Sequence, residues 1–187
     1  MKKEDRRKRM TRQAIRESLI ERMQELPLAK ISVKMICETA DINRSTFYAH
    51  YKDPYDLLGA VQGDVIKEVK EKAFSAQFFN ASDGGRSALE QLLEYGRENA
   101  SLLKVLLNEN ENSPFYSELM QLAQEKMVEE MRGKKNLSDE DMQYLENYVL
   151  AGFLGVVRHW LNRECVDAPK DMAKLMMDLM VCGISGL

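Results

Sequence analysis

Residues 31 to 58 read Ile-Ser-Val-Lys-Met-Ile-Cys-Glu-Thr-Ala-Asp-Ile-Asn-Arg-Ser-Thr-Phe-Tyr-Ala-His-Tyr-Lys-Asp-Pro-Tyr-Asp-Leu-Leu, and the punctuation inside this stretch decides the fold. Ser32 stands as an N-cap before Val33, Ile36, Cys37 and Ala40, whose i, i+3, i+4, i+7 spacing gives one buried face of a short helix. That helix stops at Asp41-Ile42-Asn43, because Asp41 tolerates a left-handed turn and Asn43 caps a new start. The next helix, over 44–51, puts Phe47 and Tyr51 on one side. Arg44, Ser45, Tyr48, Ala49 and Lys52 lie toward the other. Asp53-Pro54 is an N-cap and first helical position, opening a long helix through Tyr55, Leu57, Leu58, Val61, Val65 and Val69. Upstream, Ile15, Leu19, Met23 and Leu26 predict a first helix ending at Leu26-Pro27.

Working outward, the remaining chain is also read as helical. Helical patterns fall at 86–97, 99–109 and 114–132, with a loop at Ser82-Asp83-Gly84-Gly85 and a break from Gly133 to Leu137. Ser138 with Asp141 resembles a capping box and opens a helix with Leu145, Val149, Gly152, Phe153, Val156 and Trp160 on one face. A last helix follows Pro169, with Met172, Leu175, Met176, Leu179, Met180 and Gly183 in one stripe. The expectation is an all-α protein of about nine helices: a three-helix N-terminal domain over 1–54 and a helical C-terminal domain over 55–187.

Composition narrows the function classes. The 187 residues hold 27 Lys/Arg and 30 Asp/Glu, a formal net charge of −3. The average hides an asymmetry: residues 1 to 52 hold thirteen Lys/Arg against seven Asp/Glu, leaving the remainder at −9. A basic head on an acidic body suits a head that meets a polyanion. The three cysteines, Cys37, Cys165 and Cys182, are widely spaced and fit neither a disulfide framework nor a CxxC metal site. No stretch approaches the roughly 20 apolar residues that span a bilayer, so a cytoplasmic protein without membrane association is expected. No metal is expected, since His50 and His159 share no ligand spacing. Absent too are a P-loop, a GxSxG and a glycine-rich phosphate turn, so neither an enzyme nor a cofactor is expected.

Two short helices joined by a tight turn, with basic and hydroxyl groups on the free face of the second, make a helix-turn-helix pattern. With Phe47 and Tyr51 anchored beneath it, the second helix can enter a DNA major groove with Arg44, Ser45, Tyr48 and Ala49 toward the bases. Arg44 suits a bidentate contact to guanine. Thr46, Tyr48, His50 and Lys52 suit phosphate oxygens, which set register rather than sequence. Arg6, Arg7, Lys8 and Arg9 read as a flexible arm for the minor groove.

These residues resemble the DNA-binding segment of TetR-type (TetR/AcrR) transcriptional regulators. Thr46-Phe47-Tyr48-x-His50-Tyr51, the small Ala40 before the turn and Asp56-Leu57-Leu58 after it stand in that family's order and spacing. Asp41 replaces the usual turn glycine, and Pro54 replaces a common lysine. The resemblance implies a regulator, commonly a repressor, in which helix 44–51 reads the groove of a palindromic double-stranded operator and Lys34 lends a basic contact from the supporting helix. Residues 148 to 161 also resemble the family's penultimate helix, which with the last helix pairs two copies into a homodimer. The interface expected is Gly152, Gly155, Val156, Met172, Leu175, Met176, Leu179 and Met180. A set comprising Phe78, Phe79, Tyr95, Phe115, Tyr116, Met120, Phe153 and Trp160 is either the lining of a small-molecule effector cavity or plain core. An alternative keeps the DNA head but has the body dock a partner protein.

Overall fold

The computed structural model describes residues 3–74, 83–108, 113–131 and 138–184. Among them the chain forms nine α-helices, one 3-10 turn and no strand. The helices are α1 Lys3–Met23, α2 Val33–Thr39, α3 Arg44–Tyr48, α4 Pro54–Phe74, α5 Asp83–Glu98, α6 Ala100–Asn108, α7 Pro114–Met131, α8 Asp139–Asn162 and α9 Pro169–Ile184. Two compact units result, Met1–Val65 and Ile66–Leu187, so the division falls inside α4 rather than at its start. The all-α reading holds.

The first unit is built as the apolar spacing dictates. Ile15 and Leu19 of α1, Ile36 of α2, Phe47 of α3 and Leu57 of α4 are fully buried. Two polar cross-links fix the helices around this core. Arg22 donates from Nε and Nη2 to Thr39 Oγ1 of α2 (2.9 and 2.6 Å). Arg16 pairs with Asp64 of α4 at 2.7 Å. Three sequence expectations change here. Residues 6–9 are not a flexible arm; they continue α1, which starts at Lys3. Regular helix ends at Met23: Leu26 still donates to Arg22 O at 2.9 Å, but Pro27 is already extended at φ −64°, ψ 146°. Tyr55, grouped with the buried stripe of α4, is exposed. At 100° per residue it stands off the side of the stripe made by Pro54, Leu57, Leu58, Val61 and Val65.

In the second unit α9 packs chiefly on α5, and α8 lies against α6 and α7. Ser138 caps α8 as read, its Oγ accepting from Asp141 N at 3.1 Å and donating to Asp141 Oδ2 at 2.6 Å. The buried face of α8 is rotated from the one read in the sequence. It is Leu145, Glu146, Val149, Leu150, Leu154, Trp160 and Leu161, while Gly152 is exposed and Phe153 and Val156 are half-buried. Glu146 is tolerated inside because Gln124 of α7 donates to its Oε2 at 2.7 Å. Asp83, Gly84 and Gly85 form the first turn of α5 rather than a loop. Ser82, Phe78, Phe79 and the break at 133–137 lie outside the described residues. Among the described residues, no helix is long and apolar enough to cross a membrane.

Candidate nucleic-acid interface

The turn before α3 is a left-handed helix ending. Asp41 sits at φ 50°, and Ile42 N donates back to Cys37 O at 3.0 Å while Ala40 N donates to Ile36 O at 2.9 Å. The bond from the second residue past the cap to the third-last helical carbonyl marks a Schellman ending, whose left-handed position glycine fills most cheaply. Asp41 therefore carries backbone strain. Asp41→Gly should stabilise the first unit by about 0.5–1 kcal/mol and Asp41→Ala should destabilise it, read as shifts in its denaturant midpoint.

Asn43 then starts α3. Its Oδ1 accepts from Thr46 N (2.8 Å), Thr46 Oγ1 (2.8 Å) and Ser45 Oγ (2.6 Å). Both hydroxyl protons are thus engaged with the cap, so Ser45 and Thr46 offer their oxygens outward as acceptors first, which for Thr46 differs from the phosphate donor the sequence suggested. α3 is only five residues, Arg44–Tyr48, rather than 44–51. So short a helix has no stability of its own in water. It is held by Phe47, which is 0% exposed and packs on Tyr51 with ring centroids 6.0 Å apart. Tyr51 lies past the helix end yet stays buried, its N–H bonded to Phe47 O at 3.0 Å.

With the underside fixed, the upper side is free of the core. Arg44, Ser45 and Ala49 are exposed, Thr46 and His50 are half-buried, and Tyr48 is 57% exposed with its ring edge-on to Phe47 at 5.6 Å. Ala49 is the C-cap rather than a helical residue. Lys52 is exposed, and its backbone N–H is held by Asp56 Oδ2 at 2.9 Å while Asp53 Oδ1 accepts from Tyr55 N and Asp56 N at 2.8 and 2.9 Å. Lys34 is exposed on α2 in a loose pair with Glu38 at 3.7 Å, which leaves it available to another anion. Burial pushes the Cys37 thiol up, and the Arg44 charge draws it partly back. Burial likewise pushes the Tyr51 phenol up, against Arg16 and Arg12, which draw it down. The sequence reading missed that Arg12 stands within electrostatic reach of Tyr51, and that Tyr55 is exposed beside Lys52. Helical phase along α1 and α4 was the signal for both.

Among the described residues, the members of the expected ligand-lining set take different places. Trp160 is buried core: its Nε1 donates to Asp167 O at 2.9 Å, and a Cβ placed on Gly96 would meet its ring at 3.6 Å. Phe115 is buried too. Tyr95 lies under the Lys72 ammonium at 5.5 Å and Tyr116 under the Arg158 guanidinium at 6.0 Å. Met120 and Phe153 of the set line a cavity of about 60 Å³, together with Leu92, Leu119, Lys126 and Leu150 among others. The interface residues also divide. Met172 and Met176 are buried within the unit on the side of Ala173 and Met177. Leu175 and Leu179 are exposed, and Met180 is half-buried. Gly152, Val156, Met176, Leu179 and Met180 line a groove of about 200 Å³ with Tyr148, Val149 and Phe153.

The family model described as the TetR-type transcriptional regulator C-terminal region matches residues 86–181. An uncharacterized HTH-type transcriptional regulator, YxbF of Bacillus subtilis (strain 168), is 21% identical over 173 residues, which are 89% of this chain and 43% of that protein. The chain thus spans under half the length of that curated relative. A TetR transcriptional regulator from Streptococcus agalactiae 2603V superposes with a TM-score of 0.66 at 23% identity, covering 95% of this chain and 97% of that one. The dihydroxyacetone kinase operon activator DhaS superposes at 0.63 with 20% identity over the same shares. With more than half its length matched by the family model and its head folded as a helix-turn-helix, the chain belongs to the TetR family of transcriptional regulators.

Proposed function

We propose that the protein is a homodimeric, sequence-specific DNA-binding regulator that reads a palindromic operator with α3. The observation that carries this reading is the division of a five-residue helix into a buried Phe47 and an exposed set of Arg44, Ser45, Tyr48 and Ala49. Arg44, in the first turn, is the base reader; Tyr48, His50, Lys52 and Lys34 grip phosphates around it. Ser45, Thr46 and Ala49 complete the surface, the first two with hydroxyl oxygens oriented by Asn43 and the last as a small face against a thymine methyl.

The roles separate in one experiment. Across a library of operator variants, Arg44→Ala should relax discrimination at one base pair by about 1–3 kcal/mol, whereas Lys52→Ala should weaken all sequences alike and lower the salt slope by about 1. Identical behaviour of the two variants would refute this assignment.

An effector acts, on this reading, through the body. The cavity between α4, α5, α7 and α8 is about 60 Å³, far below the roughly 300 Å³ of an ordinary ligand pocket. A molecule that binds there prefers a state with α7 and α8 moved apart, and it shifts the population toward that state only by this preference. If the moved state sets the two heads at a spacing other than about 34–36 Å, operator affinity falls by the same factor.

A further inference from the structure

One face of α1 changes character along its length. Leu19, Ile15, Arg12 and Lys8 follow each other at steps of four, three and four residues and so share one side of the helix. Leu19 and Ile15 are fully buried, whereas no residue from 6 to 13 is buried. The inward stripe turns cationic where the helix runs past its core. Residues 6 to 13 hold Arg6, Arg7, Lys8, Arg9 and Arg12 and no acid. Arg6 with Arg9, Arg9 with Arg12 and Lys8 with Arg12 stand three or four residues apart, which is repulsive for like charges, and cations in the opening turns oppose the helix dipole. Glu4 and Asp5 upstream offset part of this repulsion.

The overhang is also in the right place. Arg12 and Arg16 both act on the hydroxyl of Tyr51, the residue between His50 and Lys52 at the edge of the α3 surface. Arg12 lies about one turn before Arg16, which pairs with Asp64 of α4 at 2.7 Å, so the cationic end of α1 extends from the same head that carries the α3 surface. From Arg12 back to Arg6 the helix rises about 9 Å. A duplex presents about five phosphate charges over that length, both strands counted.

We propose that this overhang, Arg6 to Arg12, is a second contact to the phosphate backbone of the duplex that α3 reads. The proposal rests on the DNA-binding reading above and adds a contact that carries affinity without sequence preference. It differs from a flexible arm in the minor groove, which would read groove width and A·T content.

The test uses the full chain, with Arg6, Arg7, Arg9 and Arg12 all changed to Gln and with Arg12→Gln alone, each titrated over salt against a selected operator and a random duplex. The slope of log affinity against log salt should fall by about 3.6 per bound protomer in the fourfold variant and by about 0.9 in the single one. A fourfold rise in salt would then cost the unaltered protein about 150-fold more affinity than the fourfold variant. The ratio of operator to random binding should stay unchanged. Unchanged slopes would overturn the proposal, and so would lost discrimination, which would make these residues base readers. An unaltered protein that binds neither duplex would instead overturn the DNA-binding reading itself. The unfolding midpoint of the head, expected to be no lower in either variant because the changed residues are exposed and mutually repulsive, controls for folding.

Discussion

Phe47→Ala removes the head's ability to hold α3, and it should cost about 3–5 kcal/mol of that unit's stability and abolish operator binding. The side chain is 0% exposed and is the only residue of α3 that is buried. Its ring also supports Tyr48 and Tyr51, at 5.6 and 6.0 Å between centroids. Small domains are stable by only about 5–15 kcal/mol, so the loss is a large share of the whole. Phe47→Leu, which keeps most of the volume, should cost less than about half as much. Tyr48→Ala is the informative contrast: on the same short helix but exposed, it should change stability by no more than about 0.5 kcal/mol while weakening DNA binding. Protease susceptibility of the head and operator binding by anisotropy read the two effects separately. Should Phe47→Ala bind operator normally, the mechanical role given to α3's underside is wrong.

The sequence displays such a scaffold well where one signal has one cause. Ser32, Asn43, Asp53 and Ser138 all cap the helices they precede, because a cap needs only its own side chain and the next few backbone N–H groups. Asp41 adopts the left-handed turn for the same local reason. Periodicity was less decisive where two faces of one helix are both apolar. α9 carries Met172 and Met176 inward and Leu175 and Leu179 outward, and hydropathy alone cannot separate core from free surface when neither is polar. The basic run at 6–9 was ambiguous in another way. Charge density argues for a solvated tail, but Arg and Lys are also good helix formers, and α1 extends through them. The buried face of α8 takes in Leu150, Leu154 and Leu161 and admits Glu146 through a hydrogen bond from another helix, a tertiary fact that no local pattern carries.

The outward face left over on α8 and α9 yields the other large effect. Tyr148 is 74% exposed and Leu179 57%, and both line the groove of about 200 Å³ that runs past Gly152. Gly152 and Gly155 are exposed, with no atom within 4 Å of an added Cβ. Each weakens an isolated helix by about 1 kcal/mol relative to alanine, and within one protomer nothing is gained in return. Close approach of a second copy would supply the gain, and because a twofold axis presents the same patch on both sides, any change in it acts twice. Leu175→Glu combined with Leu179→Glu places four carboxylates in that contact. At an effective cost of several kcal/mol for each poorly paired buried charge, dimer affinity should fall by about 1,000-fold or more. Light scattering should then find monomers at micromolar concentration with unchanged helicity, since both residues are exposed. Operator binding should fall with dimerisation, because a monomer brings one α3 to one half-site and gives up the second half-site entirely. Binding to an isolated half-site should be nearly preserved, which distinguishes a lost interface from a damaged head. A variant that stays dimeric and binds the full operator would place the contact between copies on some other face.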